Sequence, residues 1–380
     1  MRVLLVTWTE QLLQKLSILN PALEYCAIVV DDVEAAQKSF EKAGRSTDLL
    51  RPLYDLPECL CDFHYDYVLC VENGWWQIEL VEEAKRCGAP PDKLLNFCSL
   101  NDVCNFLFER ALRYFEEHAA EFEMIATGIS YTEKCLDVTR FKRKLFNFGR
   151  GSQDLYYNLK TAERVVACGK NLRYALIGLA AYIFHYDHSK ASKYQFMLWQ
   201  YLIAFGDMHN FRVPVDVCKK FFHEKYLTAK ISTEPMDLNN PFYAKFPMQS
   251  MKPQSQPDAR PKNGGLLKRD YPATRDENIK ILDDYLTLCE EHNIRPIMFV
   301  TPFTEGYKKH FNRQRLDEFY YLIWRAQKKH PSAIFLDGWN LKGLTDSDFY
   351  DIDHLNIQGA AKFSDFFDSF IEKFAPVMNG

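Results

Sequence analysis

A serine becomes a nucleophile when a neutral imidazole takes its proton, and the imidazole is ready to do so when a carboxylate holds its other nitrogen. Two stretches of this 380-residue chain carry those residue types in usable positions. Near the middle, Thr127-Gly128-Ile129-Ser130-Tyr131 follows the apolar run Met124-Ile125-Ala126 and precedes a helix-like segment. Near the end, Asp351-Ile352-Asp353-His354-Leu355-Asn356-Ile357-Gln358-Gly359-Ala360 lies between the last strand-like run and the last helix-like one. Asp351 and His354, three apart, can share one loop: the carboxylate receives the imidazole N–H and sets its tautomer, which leaves the second nitrogen for a serine hydroxyl. Each piece alone has a plainer use. A serine at a strand-to-helix turn is more often a helix cap, and Asp353 with His354 can cap the last helix. The first stretch is not the G-x-S-x-G elbow, because Thr132 stands in place of the second glycine.

The elements that must position these residues are legible as alternating apolar and amphipathic runs. In the first hundred residues RVLLVT, YCAIVVDD and YDYVLCVE each precede a helix-patterned segment, while Arg45 to Phe63 reads as irregular. Continuous apolar strands joined by helices imply a parallel sheet covered on both faces, hence a Rossmann-like α/β domain. A long helix from about Asn101 to Glu121 leads into a second series with strands at EMIATG, LFNFG, RYALIGLA, RPIMFVTP and AIFLDG. The expected architecture is therefore α/β with two doubly wound parallel-sheet domains, residues 1–118 and 119–380, the boundary lying inside or beside that helix. Residues from about 190 to 274 break the pattern and include MQSMKPQSQPDARPKNGG, which cannot bury a core. We read them as an insertion, either a cap over a site or a segment without catalytic role.

Composition narrows the partners. The 47 basic and 51 acidic residues nearly cancel, and no basic run tracks a phosphate backbone, so nucleic acid is not an expected partner. The amino-terminal apolar run is too short for a signal peptide, and YALIGLAAYIF falls short of a membrane span, so a cytoplasmic location is expected. Eleven scattered cysteines without a CxxC pair read as reduced, mostly buried thiols. RVLLVTWTEQLL lacks the glycine-rich turn of a dinucleotide site, which leaves Asp31 and Asp32, after the second strand, as helix caps more readily than ribose ligands. Trp75 and Trp76 pack a helix or offer a sugar platform. Phe184-His185-Tyr186-Asp187-His188 has no evident partners for a metal set, and neither metal nor cofactor is expected.

Together, the Gly-x-Ser after the first strand of the second series and the D-x-x-H-L-N-x-x-G-A before the last helix resemble the SGNH/GDSL hydrolase superfamily, over about residues 120 to 375. The resemblance is strongest to divergent bacterial members near the lipoteichoic-acid D-alanylation protein and the SGNH proteins sometimes labelled chemotaxis proteins. It implies a flavodoxin-like three-layer α/β/α domain with Ser130, Asp351 and His354 as the triad, and leaves Asp353 pointing elsewhere. It also implies an oxyanion hole from the backbone N–H groups of Ser130 and of Gly151 or Ser152, in the segment Asn147-Phe148-Gly149-Arg150-Gly151-Ser152. The family's third element, G-x-N-D, meets Gly178-Leu179-Ala180-Ala181 here, so its asparagine donor is absent. Tyr182, His185 or Tyr186 could substitute for it, and Tyr131, Tyr182 and His185 are the expected substrate-binding side chains. Two functions follow as expectations: a serine esterase or O-acyltransferase acting on a small acyl ester of a carbohydrate or surface-glycan precursor, or a weakly active or inactive scaffold in surface-polysaccharide synthesis.

Overall fold

The apolar runs do form strands, and their alternation explains the layers. In β1 (Arg2–Val6), Val3 and Leu5 join one buried cluster while Leu4 and Val6 join another, as side chains on opposite faces of a pleated strand must. Both faces are thus covered. β1 pairs in parallel with β2 (Glu24–Val30) and β4 (Tyr67–Glu72), and the sheet continues to β3 (Leu50–Pro52) and β5 (Leu94–Cys98) in the order β3-β2-β1-β4-β5.

This is a computed structural model that describes residues 1–375 except 11, 18, 20, 73–74, 99–100, 191–196 and 212–269. Most of the 190–274 insertion and the side chains of Trp75 and Trp76 lie outside the described residues. The described chain divides into two compact units, one of Met1–Leu107, the other of Phe108–Phe211 with residues 270–375.

In the second unit β6 (Met124–Thr127), β7 (Leu145–Asn147), β8 (Tyr174–Gly178), β9 (Arg295–Val300) and β10 (Ile334–Asp337) are all parallel, in the order β10-β9-β8-β6-β7. Relative to its own first strand this is the flavodoxin-like arrangement, and the order reverses between β6 and β8. One face is packed by the last helix, Ile357–Phe374, through Phe363, Phe367 and Ile371 against Phe299, Leu176 and Met124. Both units are therefore doubly wound α/β.

Two strands depart from the sequence reading. β3 lies in the segment read as irregular, and β5 was not separated from its surroundings. β3 has three residues and ends on Pro52, so it exists only because Ile28, Val29 and Val30 offer a ladder to an edge. No disulfide joins the described cysteines.

Candidate active site

β6 ends at Thr127, the chain turns through Gly128 at φ +152°, and Ser130 opens the helix Ser130–Cys135. That helix approaches the sheet closely because two glycines permit it. A Cβ on Gly128 or on Gly178, at the end of β8, would collide with the side chain of Thr132. The turn after β7 locks the arrangement. Asn147 Nδ2 donates to Thr132 O at 3.1 Å, and the Arg150 N–H donates to Gly128 O at 2.9 Å. Ser130 therefore stands at the carboxyl edge of the sheet, at the reversal point where open α/β folds place ligands.

His354 comes from the loop between β10 and the last helix. That loop is closed by a bridge between Phe349 and Leu355, and the Tyr350 N–H donates to His354 O at 2.8 Å. Inside it, Asp351 Oδ1 accepts from the backbone N–H groups of Asp353 at 3.1 Å and His354 at 2.7 Å. Asn356 caps the following helix by accepting from the Gln358 and Gly359 N–H groups, both at 3.0 Å.

The loop and the helix start meet. His354 Nε2 lies 2.9 Å from Ser130 Oγ, and His354 Nδ1 lies 3.0 Å from each Asp351 oxygen. Asp353 does not point elsewhere: its Oδ1 lies 3.1 Å from the same Nδ1, because Tyr131 Oη donates to its Oδ2 at 3.0 Å and turns the carboxylate inward. Burial pulls the His354 pKa down, but the two carboxylates outweigh it and raise the value to about 9. Burial acts the other way on Asp351, where contact with His354 prevails and lowers the pKa to about 2.

The backbone expected to receive an oxyanion surrounds this point unevenly. Gly151 faces the helix that Ser130 opens, where an added Cβ would lie 3.8 Å from Glu133 Oε2. Ser152 adopts φ +63°, a left-handed conformation that disfavours a non-glycine residue by roughly 1–2 kcal/mol. Its carbonyl holds the turn by accepting from Tyr186 Oη at 3.1 Å and His188 Nδ1 at 2.6 Å. After β8, Ala180 and Ala181 are buried and carry no side-chain donor.

The three expected substrate-binding side chains are all buried. Tyr131 directs its hydroxyl to Asp353. His185 accepts from the Tyr271 N–H at 2.9 Å through Nδ1, and its Nε2 lies 2.9 Å from Glu318 Oε2, so both nitrogens are engaged within the protein. Tyr182 lies in the turn after β8, 4% exposed.

Among the described residues, two groups have metal-ligand chemistry. Asp154, Asp187 and His209 converge, although spacing within residues 184–188 gave no sign of the other two. Their carboxylates already accept from protein donors: Asp154 Oδ2 from the His188 N–H at 2.7 Å, Asp187 Oδ2 from Asn210 Nδ2 at 2.9 Å and from Lys190 Nζ at 3.0 Å. Asp351, Asp353 and His354 form the second group. A cation on Nδ1 would require the proton on Nε2, the nitrogen that faces Ser130, and would remove the base.

Fold and site together define a doubly wound α/β protein with a Ser–His–carboxylate cluster at a strand-order reversal. No family model and no curated protein matches the chain. Among solved structures, it is similar to "a putative platelet activating factor from Streptococcus pneumonia", with 10% identity and a TM-score of 0.36, over 71% of this chain and 98% of that one. Likeness at that level says nothing about activity. Among the described residues, no helix is long and apolar enough to cross a membrane.

Proposed function

We propose that residues 119–380 form an SGNH-type serine esterase or O-acyltransferase. Its substrate is a small acyl ester, on a carbohydrate or surface-glycan precursor by the family resemblance. The observation that carries the reading is the 2.9 Å contact between Ser130 Oγ and His354 Nε2, made by residues 224 apart in the chain. Ser130 Oγ attacks the ester carbonyl as its proton passes to His354 Nε2, and Asp351 stabilises the imidazolium. The negative charge on the tetrahedral oxygen is met by the N–H groups of Ser130 and of Gly151 or Ser152. Collapse breaks the ester C–O bond, and the leaving alkoxide takes the proton back from Nε2. Water or a sugar hydroxyl then repeats the sequence on the acyl-serine.

The absent side-chain donor at Ala180 favours a second reading, a slow or inactive member serving as a scaffold. Labelling with a fluorophosphonate at pH 9, where much of His354 is neutral, separates the two. The hydrolase reading expects adduct on Ser130, none in Ser130→Ala, and p-nitrophenyl acetate turnover reduced by roughly 10⁴-fold in His354→Ala. Absence of labelling in folded wild type would support the scaffold.

A further inference from the structure

Asp351 is the carboxylate that spacing singles out, yet it is the less secluded of the two that face His354. Its side chain is 43% exposed against 9% for Asp353, while their distances to Nδ1 are 3.0 and 3.1 Å. At nearly equal separation the buried charge is less screened and interacts more strongly. Asp351 Oδ1 is also shared with two backbone N–H groups, whose donation shapes the loop.

We propose that Asp353 is a second positioning carboxylate, anchored by Tyr131, so that His354 is held in a fork rather than by Asp351 alone. This deepens the serine-hydrolase reading and rests on it. The anchor is rigid by construction. Tyr131 is 3% exposed, its ring packs edge-on against Phe303 at 5.0 Å, and its hydroxyl lies 3.5 Å from that of Tyr307. Burial pushes the Tyr131 phenol well above its ordinary pKa, so the group remains a donor to Asp353 throughout the working range.

The groups around the imidazole can be named by element. Ser130 and Tyr131 come from the short helix after β6, and Asp351 and Asp353 from its own loop. Tyr307, from the helix Glu305–Lys309, and Tyr182, after β8, act on Tyr131 rather than on the ring. Among the described residues, neither carboxylate has a lysine or arginine at salt-bridge distance. Two neighbouring anions without another cation repel one another, and the proton on His354 is what offsets that repulsion. Asp351 takes the Nδ1–H hydrogen bond, and Asp353 adds a second, buried anion beside the imidazolium. Loss of either arm leaves the other in place.

The test is a titration of the His354 ring by NMR in the full-length protein, its signals assigned by their loss in His354→Ala, together with ester hydrolysis. Asp353→Asn is expected to lower the His354 midpoint by about one pH unit or more, and Tyr131→Phe to shift it the same way by less. In turnover, Asp351→Asn is expected to lose about 10–100-fold in kcat, and Asp351→Asn/Asp353→Asn roughly 10⁴-fold, the loss expected when an imidazole has no orienting acid. A midpoint unmoved in Asp353→Asn, or a single Asp351→Asn as damaging as the double variant, would overturn the fork. If Asp353→Asn does not fold, Tyr131→Phe decides, and an unmoved midpoint there has the same meaning. The titration needs no turnover, so absence of fluorophosphonate labelling in folded wild type would refute the serine-nucleophile reading while the ring midpoints still judge the fork.

Discussion

Between β1 and β4 the carboxyl edge of the first sheet is filled by the protein's own Lys15 and Glu72, whereas between β6 and β8 the second sheet presents Ser130 with His354 at 2.9 Å. Both places are reversals of strand order, the position where this class of fold makes room for ligands. In the first, Lys15 Nζ pairs with Glu72 and donates to Trp8 O at 3.0 Å, with both side chains buried. Asp31, the acid that stands where a ribose would be met, accepts from the N–H and hydroxyl of Thr9, both at 2.7 Å. Topology supplies an opening, and the local residues decide whether the chain closes it. At the second sheet Gly128 and Gly178 let the Thr132 side chain pack against the strand ends, so the helix that Ser130 opens starts close to the edge.

The sharpest way to break this contrast is to remove one partner of the filled edge. Lys15→Met removes the buried cation that pairs with Glu72 and is expected to cost about 3–5 kcal/mol of stability, read by denaturant unfolding. Lys15→Met/Glu72→Leu should recover much of that loss, since two apolar residues replace a desolvated pair.

At the chemical edge the next effect is set by pH. His354 must be neutral to accept a proton, and its pKa is raised from 6.5 to about 9, so kcat/KM is expected to climb roughly tenfold per unit from neutrality and level off near 9. The stability linkage has the opposite sense. A raised histidine pKa stabilises the folded state fully below 6.5, and that contribution fades as pH passes through about 9. A rate independent of pH between 6.5 and 9 would remove His354 as the base.

The smallest effect compares helix caps. Asn356→Ala and Asp32→Ala each delete a side-chain acceptor at a helix start and should each cost about 1 kcal/mol in thermal or denaturant unfolding. Only the first should also slow labelling of Ser130, because Asn356 immediately follows the loop that carries His354.

Much of this was legible in the sequence because buried parallel strands read as continuous apolar runs, as in Val3–Val6 or Ile297–Val300. β3 was not, since three residues ending in proline carry no period and depend on a neighbour for their ladder. Ser130, Asp351 and His354 stand out as candidates by residue type and spacing, and it is the family resemblance that joins them into one triad. The direction of Asp353 does not stand out, because in a loop no periodicity assigns a face, and Tyr131, 222 residues away, is what turns it. The Asp-x-Asp-His run is the available sign of two acids within reach of one ring. The convergence of Asp154, Asp187 and His209 was likewise invisible, being created by packing between distant segments.

The bridge between Phe349 and Leu355 has a mechanical consequence. It ties both acids and the base into one short hairpin whose internal contacts do not involve the nucleophile. When that hairpin shifts as a body, acid-to-base distances stay constant, while the gap from Nε2 to Oγ opens together with the Tyr131 hydrogen bond to Asp353. Displacement of that one hairpin, by an inhibitor or a designed substitution, would therefore turn the site down while leaving the acid–base pair assembled.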